Sequence, residues 1–160
     1  MKSNTVIFTE PCKVEIQEID CPKPGKSEVL IRTEQTLIST GTELTFLTGE
    51  CPEKSKWSEY IHYPQKSGYS NVGIIEEVGE GVSKDLIGKR VASFSGHSQY
   101  VIVNVNELRM INYEIKPEEA TFFALAETTI NGIRRTGIEL GNRVVVYGAG
   151  IVGQLAARFL

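Results

Sequence analysis

Three glycines close to the last residue of the chain, Gly148, Gly150 and Gly153, stand in the spacing G-x-G-x-x-G within VVVYGAGIVGQLAARFL. In that spacing the first glycine permits a tight turn, the second lets the main chain approach a pyrophosphate, and the third lets a helix pack closely on the strand before it. The first helical amides, those of Ile151, Val152 and Gly153, have no partner inside the helix and face phosphate oxygens in such a turn. Three glycines in six residues also occur in ordinary loops. The chemical reading rests on context: a β-branched run, Arg143 to Tyr147, reads as a buried strand before the turn, and a small-residue helix follows it. The metal ligands and thiols are few: His62, His97, Cys12, Cys21 and Cys51. An odd, widely separated set of cysteines with no C-x-x-C pair fits reduced thiols, and it leaves a four-ligand structural zinc site little to draw on.

The chain has 160 residues, enough for one good core but not for two complete domains. Hydrophobic residues at 41% and charged residues at 23% describe an ordinary soluble protein. Seventeen basic against twenty acidic residues give a net charge of −3, with no basic block, which argues against nucleic acid or an anionic membrane as partner. No apolar run approaches the roughly 18 residues of a membrane span, and MKSNTVIFTE has no signal-peptide core, so a cytoplasmic protein is expected.

Short strand patterns fill the first two-thirds: TVIFTE, CKVEIQEI, EVLIRTEQTLIS, GYSNVGIIEEVGEGV, KRVASFS and SQYVIVNV, separated by glycine and proline turns. Their close spacing predicts a compact β-barrel or sandwich. Cys51 to Ser67 reads as the longest irregular loop. KPEEATFFALAETTINGIRRTG predicts one helix, with Pro117 in the first turn, Glu118 and Glu119 complementing the dipole, Arg134 and Arg135 in the last turn, and Gly137 as C-cap. Phe122, Ala126, Ile130 and Ile133 fall at helical spacing. The expected divisions are residues 1–115, a linking helix over 116–141, and the opening of a dinucleotide-binding domain over 142–160.

In this order STGTE (Ser39 to Glu43), GYSNVGIIEEVGEGV, GKRVASFSGHSQYVIV, a helix and ELGNRVVVYGAGIVG resemble the medium-chain dehydrogenase/reductase superfamily, the zinc-type alcohol dehydrogenase relatives, over the whole chain. The resemblance implies a mostly β fold with α: a GroES-like β-barrel for the substrate, a linking helix, then the first strand and helix of a Rossmann domain. It implies NAD or NADP as cofactor, a small-molecule substrate, a homo-oligomer, and hydride transfer between NAD(P)H and a carbonyl, an alcohol or a conjugated alkene.

Three departures separate the chain from the zinc enzymes. Thr40 stands where they usually carry a cysteine, Tyr69 after Gly68 where they carry a histidine, and Phe123 and Ala124 where a third ligand is common. Their four-cysteine lobe is missing, because Ser95 and Gly96 run directly into HSQYVIV. No zinc is therefore expected, and polarising a substrate oxygen falls to hydrogen-bond donors. The wording S-x-G-T-E and G-Y-S is closest to the bacteriochlorophyllide-dehydrogenase-like branch, which lacks the zinc ligands.

Candidate catalytic residues follow from this comparison, each with a plainer alternative. Tyr69, at a former ligand position, donates to a substrate oxygen, or it is a barrel tyrosine with a packed ring and a wet tip. His97 exchanges protons, or it is a turn histidine bonded to backbone. Ser39 and Thr42 orient a substrate or nicotinamide amide, or they cap the short TELTFL helix. Glu127 is a general acid or base, or an exposed or salt-bridged helix residue. Trp57 and Tyr60 line a substrate mouth, or they anchor their loop. Arg134 and Arg135 are read as helix C-terminal charge.

A dinucleotide fold needs two βαβ halves, and the residue that selects NAD over NADP follows the glycines by about 20 positions. The expectation is a truncated enzyme that does not itself turn over, with residues 143 to 160 disordered or self-associated. The alternative is a non-catalytic GroES-like binding or oligomerisation module.

Overall fold

The computed structural model describes residues 1–112 and 114–160, which fall into two compact units, Met1–Thr121 and Phe122–Leu160. In the first unit β1 (Lys2–Glu10) and β2 (Lys13–Asp20) form a hairpin about Pro11 and Cys12, with Val6 opposite Ile16. After β3 (Glu28–Thr36) come α1 (Thr40–Thr48), α2 (Lys56–Tyr60), the two-residue β4 (Gln65–Lys66) and β5 (Asn71–Val78). Then follow β6 (Arg90–Ser93), β7 (Tyr100–Asn104), β8 (Arg109–Met110) and α3 (Pro117–Ala120). One antiparallel sheet has the order β2-β1-β4 and the other β7-β3-β5-β6-β8. The stretch expected to be the longest irregular loop thus holds a helical turn and a short strand.

Alternation along β3 places the core. Val29 and Ile31 point to one face with Ile75, Val91 and Val103, and all five are buried. Leu30 points the other way and is buried too, so β3 is covered on both sides. Each such aliphatic contributes about 1.5–3 kcal/mol relative to staying in water. The segment from His97 to Gln99 joins the sheets: Val6 N donates to His97 O (2.9 Å), Gln99 N to Asn4 O (2.8 Å), and Thr33 N to Gln99 O (2.9 Å). One main-chain segment thereby bonds to β1 and β3 together, closing the barrel.

In the second unit α4 (Phe123–Arg135) precedes α5 (Ile151–Phe159). Pro117 heads its helix as the sequence predicts, yet α3 and α4 are separate helices. At the break the Thr121 hydroxyl takes the Glu118 carbonyl (2.7 Å) and the Thr121 carbonyl accepts from the Ser70 hydroxyl, so side chains satisfy groups that a continuous helix would pair along its backbone. Arg134 and Arg135 close α4, and Gly137 just beyond has the left-handed φ of +68° typical of a helix end. On α4 the buried residues are Ala124 and Thr129, whereas Ile130 is exposed. The run Val144 to Tyr147 is not a strand: no strand among the described residues pairs with it, and Val145 and Tyr147 are fully or almost fully exposed. A β-branched run becomes a strand only when a neighbouring strand takes its hydrogen bonds.

Gly73 lies where β5 crosses β3, and a Cβ there would stand 2.3 Å from the Arg32 carbonyl oxygen and 2.6 Å from an Ile31 methyl. Neither main chain can yield without breaking the ladder, so Gly73→Ala should destabilise by about 3 kcal/mol. Urea denaturation at constant m-value measures this; a loss under about 1 kcal/mol would mean that the barrel relaxes at this crossing.

Candidate functional site

The barrel brings three of the four expected catalytic residues into one hydrogen-bonded set and adds a fourth member, Glu43. Ser39 ends the extended chain after β3 and is the N-cap of α1, with φ −93° and ψ 93°. Its hydroxyl does not cap the helix; Glu43, one turn on, reaches back so that its Oε1 accepts the Ser39 N–H at 2.7 Å. The other oxygen, Oε2, lies 2.8 Å from His97 Nε2. An ionised carboxylate only accepts, so this contact puts a proton on Nε2. The side chains of His97 and Glu43 are 9% and 6% exposed, which withdraws the contact from competing water.

The Ser39 hydroxyl has another partner: Tyr69 donates to it at 2.6 Å. With its oxygen held in this way, Ser39 keeps its own hydrogen for an acceptor, and a donated hydrogen bond strengthens the next one in line. Gly68 sets up this side of the site. Its φ is +87°, and a Cβ on it would lie 2.7 Å from the His97 ring, so the ring packs against a residue that has no side chain. Thr42 lies on α1, and its hydroxyl enters none of these bonds among the described residues.

Several residues settle at the other end of α1. Gly49 takes a left-handed φ of +74°, Cys12 N donates to Leu47 O (2.7 Å), and the Tyr63 hydroxyl donates to Phe46 O (2.6 Å). Burial holds the Tyr63 hydroxyl above its ordinary pKa and so keeps it a donor. Trp57 packs edge-on against Phe46 with ring centroids 5.7 Å apart, and therefore anchors its segment to α1; Tyr60 is exposed.

In the second unit Gly148 adopts φ +100°, a turn that a side chain would strain. A Cβ on Gly153 would meet the Gly148 oxygen at 2.0 Å, so close packing of turn on helix requires that glycine. Gly150 differs: a Cβ there meets nothing within 4 Å, leaving open space beside the first turn of α5, where the amides of Ile151, Val152 and Gly153 begin the helix. Open space and helix-end amides are what a phosphate needs, so these residues fit the phosphates of a dinucleotide. Glu127 is exposed on α4.

Ligand chemistry for zinc is missing at the mapped positions. Thr40 is exposed, Tyr69 is committed to Ser39, and Phe123 and Ala124 offer no donor side chain. Among the described residues no three or more His, Cys, Asp or Glu side chains gather in a group that could hold a metal. The sequence alone gives Glu43 no separate role: the bond spans Ser39-x-x-x-Glu43, one residue longer than the usual capping box at a helix start.

No protein-family model matches the chain. An alcohol dehydrogenase of Geobacillus stearothermophilus is 27% identical over 184 aligned positions, covering 95% of this chain and 52% of the relative. Those positions outnumber the residues of the chain, so the relative carries segments that this chain lacks within the matched region. An L-threonine 3-dehydrogenase of Coxiella burnetii is 40% identical over 80 residues, 48% of this chain and 20% of the relative. Among solved structures, an alcohol dehydrogenase of Escherichia coli in complex with NADH superimposes with a TM-score of 0.84 at 20% identity, over 98% of this chain and 52% of that one. The chain spans about half the length of the alcohol dehydrogenases it matches from end to end.

The Glu43–His97 contact should be measurable as a coupling. In a double-mutant cycle, Glu43→Ala and His97→Ala should each cost stability while their combination costs less than the sum, by about 1–3 kcal/mol. Additive effects within about 0.5 kcal/mol would show that the two side chains are merely neighbours.

Proposed function

As a member of the medium-chain dehydrogenase/reductase superfamily, the chain brings a barrel and a glycine turn to a shared task, and we propose that the task is NAD(P)-dependent hydride transfer without zinc. The observation that carries this reading is the Tyr69–Ser39 hydrogen bond of 2.6 Å at a position where the zinc enzymes keep a metal ligand. In this proposal residues 1–115 form the substrate domain, 116–141 the link, and 142–160 the opening of the nucleotide domain. Gly148, Gly150, Ile151, Val152 and Gly153 hold the phosphates, and the nicotinamide, when bound, supplies or accepts the hydride.

The protein's own part is to bind and steady the substrate oxygen. Ser39 donates to that oxygen while Tyr69 donates to Ser39, so negative charge developing on the oxygen is shared along two fixed donors. Glu43 secures the Ser39 main chain and His97 at once, which holds the donor in place. Thr42 is not assigned a part. The substrate is a small molecule with a carbonyl, a hydroxyl or a conjugated alkene.

Catalysis is proposed for a protein that carries both halves of the dinucleotide fold. In a protein with both halves, Tyr69→Phe and Ser39→Ala should each lower kcat about 100-fold with nucleotide affinity unchanged. NADH and NADPH oxidation with ketones, quinones and enones tests this. Elemental analysis of the dialysed protein should find zinc well below one per chain. Full activity in Tyr69→Phe, or activity lost to a chelator and restored by zinc, would refute the assignment.

A further inference from the structure

Among the described residues, the buried polar side-chain atoms without a hydrogen-bond partner are Thr9 Oγ1, Ser55 Oγ, Ser67 Oγ and Asn71 Oδ1. Asn71 is the most deeply enclosed of these residues, 0% exposed at the start of β5. An enclosed acceptor left unpaired lowers stability and calls for an explanation. The explanation lies at the other end of the same amide. Nδ2 donates to Thr33 Oγ1 (2.8 Å) and to the Gly96 carbonyl (3.3 Å), and the Thr33 hydroxyl in turn donates to the Ser98 carbonyl (2.6 Å). Gly96 and Ser98 flank His97, so one buried amide grips the carbonyl on each side of it, directly on one side and through a threonine on the other. The amide cannot be turned over to satisfy Oδ1 instead. Its oxygen would then face the Gly96 carbonyl, which only accepts, and a hydroxyl whose hydrogen is already given to Ser98. Space around this turn is equally fixed, since a Cβ on Gly96 would stand 2.3 Å from the Ser67 carbonyl oxygen.

We propose that Asn71 is a positioning residue: its amide holds the turn of residues 96–98 so that the His97 ring meets Glu43, and through Glu43 it keeps Ser39 aimed at the substrate oxygen. Its effect on the reaction rests on the hydride-transfer reading, whereas its hold on His97 does not. Main-chain bonds from His97 to Val6 and Ser67 place the residue in the barrel wall. The 2.8 Å contact of its ring with Glu43 is more demanding, because a side-chain hydrogen bond weakens steeply with small changes of distance and angle. Stability alone would be served as well by leucine, which branches where asparagine does and carries neither a donor nor an unpaired acceptor. Gly96 O and the Thr33 hydroxyl would each keep a partner, the Ser98 amide (3.0 Å) and the Ser98 carbonyl. What leucine would lose is the grip on the turn.

Imidazole NMR of the full chain tests the hold on His97, with the Nε2–H signal of that ring as the readout; His62 is the other histidine, and His62→Ala identifies which signal is which. Asn71→Leu should keep the urea midpoint of the unaltered chain or raise it, yet exchange of the His97 Nε2–H with water should quicken about tenfold, the factor that matches one hydrogen bond. Thr33→Val, which removes the hydroxyl between Asn71 and Ser98, should act in the same direction. Ser70→Ala, the adjacent buried residue whose hydroxyl donates to the Thr121 carbonyl instead, should leave the signal as it was. In a protein with both halves of the dinucleotide fold, Asn71→Leu should lower kcat about tenfold with the nucleotide KM unchanged. An unchanged exchange rate in Asn71→Leu would overturn the proposal, as would an equal change in Ser70→Ala, which would mean a general loosening of the barrel. Should Asn71→Leu not fold, the exchange rate in Thr33→Val decides by the same criterion. The exchange measurements need no nucleotide: absence of turnover in the unaltered protein counts against the hydride-transfer reading alone, and turnover that Asn71→Leu leaves unaltered counts against Asn71 alone.

Discussion

The barrel's functional side depends on how the main chain of His97 is held. Its carbonyl accepts from Val6 on β1, and its amide donates at 2.9 Å to the carbonyl of Ser67, next to β4. Bonds to β1 and to the residue after β4 fix its main chain, and the ring lies against Gly68, where a side chain would leave it no room. Everything else in the set is arranged from that point: the ring meets Glu43, Glu43 holds the start of α1, and Ser39 at that start receives Tyr69.

A zinc ion concentrates positive charge at one point and needs ligands whose geometry is fixed to within tenths of an ångström. The proposed reading spreads a weaker polarising effect over the two hydroxyls of Ser39 and Tyr69, with a buried carboxylate behind them. Hydrogen-bond donors in a partly dry site are strong enough to steady developing charge on an oxygen. They also do not depend on metal supply. Under that proposal a substrate oxygen would approach Ser39 along a hydrogen-bond direction, whereas a Lewis acid accepts a wider range of approach.

How much of this could be read beforehand varied with how local the cause was. The glycine turn, the proline at the head of α3 and the terminal Gly137 were legible because each depends on a few adjacent residues and their allowed backbone angles. The short strands were legible for the same reason, from alternation within each. Glu43 and His97 are 54 positions apart, and no periodicity links them; only the closed barrel puts them 2.8 Å apart. The unpartnered Ser67 hydroxyl was equally out of reach, since nothing local to a serine in a polar stretch of sequence shows that its oxygen is enclosed. At Val144 to Val146 local preference pointed to a strand that the fold does not form, because pairing is a property of two segments. The division of the expected single helix into α3 and α4 has a similar origin in Ser70, 51 positions away from the carbonyl it binds.

The capping of α1 by Glu43 has a consequence for how this segment can change in evolution or by engineering. Successive residues on a helix are turned by about 100°, so inserting or deleting one residue between Ser39 and Glu43 would swing the carboxylate away from both the Ser39 amide and His97. The loop from Cys51 to Ser55 is largely exposed and outside regular structure, and its hydrogen bonds, Ser55 N to Pro52 O and Ser58 Oγ to Ser55 O, span only a few residues, so its length is less constrained. Ser39 to Glu43 should therefore admit replacement of single side chains but no change in spacing. Variation in length between proteins built on this plan should gather after α1 and not before it.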